Sequence, residues 1–255
     1  MDKQTENSSL VSIIIPVYNT GQFIQETLRS VMEQSYTEWE CLCIDDCSTD
    51  DSISYISEFT QKDGRIRLLK MQKNGGAAAA RNYGVSQAGG KYLAFLDSDD
   101  LWVRDKLEKQ LRFMQKGNYP FSCTSYGKID EESKVLDKVC ICQKKYTYDD
   151  VLKRNPGNST IIYDCQTVGK VYGPDIHRRN DLAMWLTVIK KTGCIYGYQE
   201  VLGYHRIRKD SLSINKRRLI SYQWKVYRDI EKLSVMKSAY LIVYKVVQTM
   251  LGKNG

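Results

Sequence analysis

The chain has 255 residues, of which 42% are hydrophobic and 27% charged, and its formal net charge is +8. This length can bury a full core, and it fits one α/β domain or a domain with an appendage. No apolar run approaches the roughly 18 residues of a membrane-spanning helix, and residues 1–10 lack the apolar core of a signal peptide. The eight cysteines include no Cys-x-x-Cys pair, so we expect buried, reduced thiols in a cytoplasmic protein and no zinc site.

The positive charge is concentrated in residues 215–255, which carry nine Lys or Arg and two acidic residues. Apolar side chains recur there every three or four residues from Leu233 to Leu251, which predicts a basic amphipathic helix. We therefore divide the chain into residues 1–214 and an extension, 215–255. The helix has three candidate partners: the inner face of the cell membrane, contacted peripherally, the domain itself, or a second subunit in a homodimer. The rest of the chain is nearly neutral and no binding motif is present, so we expect no nucleic-acid partner.

The first hundred residues alternate between short apolar runs and segments with helical spacing. The predicted strands cover residues 11–18, 39–44, 65–71 and 92–96, with helices after the first three. Repeats of this length are typical of parallel βαβ units. Pro16 cannot donate a ladder hydrogen bond, so it should lie near the end of its strand.

After residue 102 the pattern predicts shorter, hairpin-like strands with helices between them. Strands are expected over residues 120–126, 135–142 and 159–163, and helices over 106–114, 148–153 and around 182–189. The sequence therefore predicts an α/β fold whose mainly parallel sheet carries an antiparallel extension.

Acidic residues follow two of the predicted strands. Residues 92–96 form an unbroken apolar run, typical of a buried strand, and Asp97, Ser98, Asp99 and Asp100 follow directly. Carboxylates held this close repel one another, which favours a divalent cation that keeps open positions for phosphates and water. Asp45 and Asp46 follow the second strand in the same way. Turn formation alone is the alternative explanation, because Asp favours turns and helix caps.

Two further residues have chemistry that suits group transfer. Arg81 is placed to bind phosphate charge. Asp181, at the start of the predicted helix around residues 182–189, is a candidate general base, although a helix cap is the alternative. The helix dipole weakens a carboxylate as a base, so burial beside Trp185 or a substrate hydroxyl held close would have to offset it.

Several motifs resemble those of glycosyltransferase family 2. They are IIIPVYN at residues 13–19, IDDCSTD at 44–50, NGG at 74–76 with ARN at 80–82, AFLDSDD at 94–100 and NDLAMWL at 180–186. The match is most specific through residue 105. Segments at 174–176, 204–206 and 211–213 are similar to bacterial members that build capsule, teichuronic acid or lipopolysaccharide chains, and the resemblance extends to about residue 230.

The resemblance implies a GT-A fold and an inverting transfer from a nucleotide-sugar, usually a UDP-sugar, with Mn²⁺ or Mg²⁺. By motif position, Asp46 would contact the uracil, Asp97 the ribose side or the metal, Asp99 the metal, and Asp181 would be the base. The full set of expected donor-side residues is Pro16, Tyr18, Asp45, Asp46, Arg81, Asp97, Ser98, His205 and Arg206. The expected acceptor-side residues are Trp102, Asp175, Asn180 and Trp185.

The acceptor motif departs from the family at one position. It often opens Glu-Asp, whereas Asn180 precedes Asp181 here, which removes a second acid that would tune the base. Asp175 competes for the role of base. The acceptor would be a glycan or a lipid-linked sugar. Two other hypotheses remain open: a saccharide- or nucleotide-binding protein with this fold but no turnover, and a nucleotidyltransferase that shares the metal carboxylates.

Overall fold

A computed structural model describes residues 9–208 and 216–251, without the side chains of 216–218. The predicted boundary at residues 214–215 and the motif at 211–213 lie outside the described residues. The first half alternates strands and helices: β1 Val11–Val17, α1 Gly21–Met32, β2 Trp39–Asp45, α2 Ser52–Lys62, β3 Ile66–Lys70, α3 Gly76–Gln87 and β4 Tyr92–Phe95. These bounds agree with the predicted elements to within a few residues, and Pro16 is the penultimate residue of β1 as expected.

The second half has shorter strands and more irregular connections. Its elements are β5 Leu101–Trp102, α4 Lys106–Gly117, β6 Phe121–Ile129, β7 Val135–Cys140, β8 Lys145–Tyr146, α5 Tyr148–Lys153, β9 Ile162–Asp164, α6 Cys165–Val168, α7 Asn180–Thr192 and β10 Ile195–Arg206. A 3₁₀ helix at Asn158–Thr160 occupies the start of the strand predicted over residues 159–163. The longest strand, β10, was not predicted.

The described strands form one mixed sheet. Its order is β3-β2-β1-β4-β9-β6-β10-β5, with β7 paired to β6 and β8 to β10. The first four strands in this order are parallel, whereas β9 runs antiparallel to both β4 and β6. The predicted parallel half with an antiparallel extension is therefore confirmed. Since β1 lies between β2 and β4, the loops that follow these three strands meet at one edge of the sheet.

Helices cover both faces of the sheet because neighbouring strand residues point to opposite sides. Ile14, Ile44 and Phe95 belong to a core that includes residues of α3, α5, α7 and α9. Ile13, Ile15 and adjacent strand residues pack instead with α1, α2 and α4. The sheet is thereby buried on both sides, and only its edges and ends remain for binding.

The C-terminal segment folds as helices, as predicted. It comprises α8 Lys216–Lys225, a π-helical turn Val226–Ile230 and α9 Val235–Met250. Tyr227 and Leu241 are buried in the core that contains α5 and α7, and the Tyr227 hydroxyl donates to the Leu152 carbonyl at 2.6 Å. Within the described residues, no helix combines the length and apolarity needed to cross a membrane.

Candidate active site

The loops after β1, β2 and β4 meet at the carboxyl edge of the sheet. Val17 lies opposite Asp45 in the parallel register, and Ile14 lies opposite Phe95. The Asp46 amide donates to the Val17 carbonyl at 2.9 Å, which continues the pairing past the end of β2. Tyr18 projects from this edge with 52% of its surface exposed. The predicted convergence of strand ends is thus present.

Asp45 and Asp46 hold the loops at this edge. The two oxygens of Asp46 accept the amides of Gly75 and Gly76, each at 2.7 Å, and Asp45 accepts the Ser48 amide at 3.2 Å. Gly76 has a φ of +79°, a conformation that glycine adopts without strain. Both carboxylates are only 2% exposed. In this structure Asp46 ties the end of β2 to the start of α3, and Asp45 closes the turn after β2. A contact of either residue with a base or a ribose stays a prediction.

Asp97 is the most open member of the acid cluster, which we define as Asp97, Asp99 and Asp100. Its Oδ1 accepts the Asn158 side-chain amide at 2.7 Å and lies 3.6 Å from Arg81 Nη2. Desolvation in the recess, followed by the charge of Asp100, raises the pKa of Asp97 to about 7, although 44% of its side chain is exposed. A cation bound at Asp97 would favour its ionised form and offset the repulsion from Asp100.

Asp100, whose charge contributes to the raised pKa of Asp97, is almost fully buried. Its oxygens accept the Ser159 hydroxyl at 2.5 Å and the Arg206 amide at 2.9 Å. Desolvation and the charge of Asp99 raise its pKa. His205 Nε2 lies 3.7 Å from the same carboxylate, while its ring stacks on Tyr126. Burial lowers the pKa of His205 to about 4, so the imidazole is neutral near pH 7.

The side chain of Arg206 is too deeply buried to contact a donor substrate. Its side chain is 0% exposed, and its guanidinium donates to the Asp99 and Asp130 carbonyls, the Ser133 hydroxyl and the Glu26 carboxylate. This corrects the expectation that it contacts the diphosphate. Arg208 also contacts the acid cluster, donating to Asp99 Oδ2 at 3.1 Å.

Two bridges join the acid cluster to Asp181, the second residue of α7. In the first, Arg81 lies between Asp97 and Asn180, donating to the Asn180 side-chain oxygen. In the second, the loop of residues 155–158 contributes Asn158 to Asp97, and Asn155 donates to Asp181 Oδ2 at 2.6 Å. Asp181 is partly exposed, and its carboxylate can accept hydrogen bonds in addition to the one from Asn155. The candidate base and the candidate metal ligands are therefore anchored on the same loop.

The remaining predicted residues lie in three settings. Asp175 lines a separate recess of about 310 Å³ beside the start of α3. Trp185 is 0% exposed and packs edge-on against Phe95, so the expectation that it lines the acceptor site is corrected. Trp102 is also buried, with its indole N–H donated to the Ser159 carbonyl at 2.7 Å. The backbone carbonyl of Ser98, which is itself buried, accepts the Thr27 hydroxyl at 3.1 Å.

The donor set fits a hard divalent cation. Among the described residues no group of three or more His, Cys, Asp or Glu is arranged to hold a metal by itself. Asp97 and Asp99 supply two carboxylates, which is the usual protein share where substrate phosphates and water complete the coordination of Mg²⁺ or Mn²⁺. Asp97 suits this role because part of its side chain is exposed.

The site also includes residues that sequence reasoning missed. Asn155, Asn158 and Ser159 come from a loop about 60 residues after the acids, and Arg208 from beyond β10. None of them stands in a motif, and no spacing in the sequence relates them to the acids. The adjacent resemblance at residues 204–206 was the nearest signal for Arg208.

Comparison with known proteins identifies the family to which this chain belongs. A family model described as "Glycosyl transferase family 2" matches residues 12–170, which span β1, the acid cluster and the loop of residues 155–158. The chain belongs to glycosyl transferase family 2. It is therefore a glycosyltransferase, and its relatives act in glycan biosynthesis.

Two curated relatives match over nearly their whole length. TuaG of Bacillus subtilis, provisionally named a teichuronic acid biosynthesis glycosyltransferase, is 41% identical over 92% of this chain and 93% of its own. WfgD of Escherichia coli is 34% identical over 93% of both chains. Its name is UDP-Glc:alpha-D-GlcNAc-diphosphoundecaprenol beta-1,3-glucosyltransferase.

Solved structures show that this family 2 chain has the GT-A fold. Staphylococcus aureus TarS 1–349 with UDP-GlcNAc superposes with a TM-score of 0.73 at 19% identity, over 92% of this chain and 71% of TarS. The Pyrobaculum calidifontis mannosyltransferase PcManGT, solved with GDP-Man and Mn²⁺, gives a TM-score of 0.68 at 15% identity, over 93% and 73% of the two chains.

Proposed function

We propose that this glycosyltransferase moves a sugar from a nucleotide-sugar, most suitably a UDP-sugar, to an acceptor hydroxyl with inversion at the anomeric carbon. The observation that carries the proposal is the pair of bridges between Asp97 and Asp181. These bridges hold two groups on neighbouring elements: the acid cluster, which suits a metal-bound diphosphate, and the carboxylate of Asp181, which can accept a proton.

On the donor side, Asp97 and Asp99 would hold Mn²⁺ or Mg²⁺. When bound, the ion acts as a Lewis acid on the departing diphosphate. Arg81 lies beside Asp97, where its guanidinium can add positive charge. The exposed ring of Tyr18 stands at the same edge and offers a face for the nucleobase. Buried Asp46 supports this edge by fixing the Gly75–Gly76 turn, and a base contact would use its remaining lone pairs.

On the acceptor side, Asp181 would take the proton of the attacking hydroxyl. The hydroxyl oxygen then forms a bond to the anomeric carbon while the bond from that carbon to the diphosphate oxygen breaks, and the nucleoside diphosphate leaves with the electron pair. Asn155 donates to one oxygen of Asp181 and so orients the other. A carboxylate within reach of the hydroxyl is the geometric requirement for a general base.

The relatives named above support a growing bacterial surface glycan, or a lipid-linked precursor of one, as the acceptor. The C-terminal helix supports work at a membrane surface. Its side chains that point away from the protein form an exposed apolar stripe, defined as Met236, Tyr240, Val243, Val247 and Met250. Lysines accompany this stripe, which is the pattern of a helix that lies in an interface with anionic lipid. We propose peripheral contact with the inner face of the cell membrane.

Two assays on the Asp181→Asn variant test the mechanism. The variant keeps the size of the side chain and removes the base, so transfer should fall by about 10²–10⁴-fold, while calorimetric binding of UDP with Mn²⁺ is unchanged. Asp175→Asn is the matched control and should retain near-normal transfer. Full transfer by Asp181→Asn, or its loss in Asp175→Asn alone, would contradict the assignment.

A non-catalytic sugar- or nucleotide-binding role is the competing function for the same site. Incubation of the protein with UDP-glucose or UDP-GlcNAc and Mn²⁺ separates the two, because only turnover releases UDP. Pyrophosphate release from nucleoside triphosphates would indicate a nucleotidyltransferase instead.

A further inference from the structure

A second cavity lies near Asp181. It encloses about 440 Å³ between the end of α5, the start of α7 and the two C-terminal helices. This volume is within the range of small-molecule sites. Asn155, which donates to Asp181, is one of its lining residues. A molecule in the cavity would therefore lie beside the candidate base.

Four of the residues that line this cavity are basic, namely Lys153, Arg154, Arg179 and Lys245, and we call it the cationic cavity. Among the described lining residues none is acidic. The pKa of partly buried Lys245 is lowered to about 7, first by loss of solvent around its ammonium and then by the charge of Arg179, with Asp181 opposing. These cations repel one another, so the cavity favours an anionic guest.

Arg179 contributes a buried hydrogen-bond donor to the cavity lining. It precedes α7 with a φ of 62°, a left-handed conformation that is uncommon for a side chain of this size. Its Nε atom is buried and has no hydrogen-bond partner among the described residues. A buried donor without a partner costs free energy, and a guanidinium fits the oxygens of a phosphate.

Apolar side chains of α8 and α9 also line the cavity, namely Leu219, Ile220, Ile242, Val246 and Met250. Met250 belongs to the exposed apolar stripe as well, so the apolar lining continues onto the surface proposed to face the membrane. A guest that matches both the basic and the apolar lining residues has an anionic group and an apolar chain.

We propose that the cationic cavity binds the phosphate or diphosphate of an acceptor lipid, whose chain runs along α8 and α9 and whose sugar reaches Asp181. This inference rests on the proposed function and adds the residues that would bind the phosphate and the chain of a lipid-linked acceptor. A sugar joined directly to a phosphate would place its hydroxyls about one ring away from the cations, beside the carboxylate. The chain would leave toward the membrane surface.

Binding of farnesyl diphosphate to the full chain tests the proposal by calorimetry, since this probe combines a diphosphate with an apolar chain. We expect it to bind more tightly than inorganic pyrophosphate or farnesol. Lys245→Met and Arg179→Asn should each weaken binding about tenfold, because each removes a charge-assisted contact. Asn tolerates the left-handed conformation at residue 179. Lys237→Gln is the matched control: it removes an exposed lysine of α9 that pairs with Asp149, and it should bind normally.

Equal binding by Lys245→Met, Arg179→Asn and the unaltered protein would overturn the proposal. So would equal affinity for pyrophosphate and farnesyl diphosphate, which would mean a simple anion site. Phosphatidylglycerol vesicles provide the third comparison. If Lys245→Met weakens vesicle binding as much as probe binding, the cavity holds a bulk lipid headgroup and the acceptor assignment fails.

UDP binding with Mn²⁺ is measured in parallel, to separate failure of this inference from failure of the proposed function. If neither the unaltered protein nor any variant binds UDP, the proposed function is contradicted. If the unaltered protein binds UDP but not farnesyl diphosphate, only this inference is contradicted.

Discussion

The guanidinium of Arg208 donates to the carboxylate of Asp99 across 3.1 Å, although the two residues are 109 positions apart. Arg208 also lies over the ring of Phe23, which holds it next to the acid cluster. Asp99 is the acid that the resemblance assigns to the metal. A divalent cation at this carboxylate would therefore have to share it with Arg208 or displace it.

Removing Arg208 should strengthen metal binding in the absence of nucleotide. In Arg208→Gln, Asp99 loses a partly buried cation, so we expect Mn²⁺ to bind a few-fold tighter, as estimated for an ion pair of this exposure. Asp99→Ala should abolish metal-dependent UDP binding. Both are measured by titration calorimetry. Arg112→Gln, which breaks an exposed pair with Glu108, is the control and should match the unaltered protein. Weaker Mn²⁺ binding by Arg208→Gln would show that the arginine supports the metal site.

Arg206 should matter for stability more than for donor binding. Its guanidinium ties β10 to α1 and to the loop at Asp130, so Arg206→Met leaves several acceptors without a donor. We expect a loss of about 3 kcal/mol, or roughly 6–12 °C in Tm for a chain of this size. Arg29→Met, on the exposed face of α1, should change Tm little. Unchanged Tm with lost UDP affinity would instead favour the donor contact that the resemblance implied.

Lys245→Met should stabilise the ligand-free protein in a pH-dependent way. The folded-state pKa of Lys245 is about 7, below the roughly 10.4 of an unfolded lysine, so the unfolded state binds more protons between these values. The cost of burying the ammonium is therefore complete below pH 7 and fades as the pH approaches 10. We expect the variant to gain about 1–3 kcal/mol below pH 7 and little at pH 10. Urea denaturation at several pH values measures this gain, and a gain that is independent of pH would contradict the prediction.

The exposed apolar stripe should govern membrane attachment. Val243→Asp with Val247→Asp places two acids on it, so flotation with vesicles rich in phosphatidylglycerol should fall sharply. Val139→Asp alters an equally exposed valine on β7 and serves as the control. Retained flotation of the double variant would exclude the membrane role. A change from dimer to monomer in light scattering would assign the stripe to a second subunit.

Local sequence patterns determined the parallel half of the fold and the position of its acids. Apolar runs bounded by turn residues located β1, β2 and β4, and the carboxylates that follow them marked the edge where these strands end. Helical spacing likewise located α7 and placed Asp181 in its first turn. These features depend on residues that are close together in the sequence, so a single sequence is enough to predict them.

Only the tertiary structure decided which of those residues open onto a cleft. The mixed polar and aromatic sequence of β10 shows no clear alternation, so its pairing with β6, β5 and β8 was not readable. That strand delivers Arg206 to a buried network and leads the chain to Arg208. Asp46 is occupied by the Gly75–Gly76 amides, and Asn155 reaches Asp181, through contacts between residues 26 to 30 positions apart. Such contacts follow from how the whole sheet packs, and no short-range spacing encodes them.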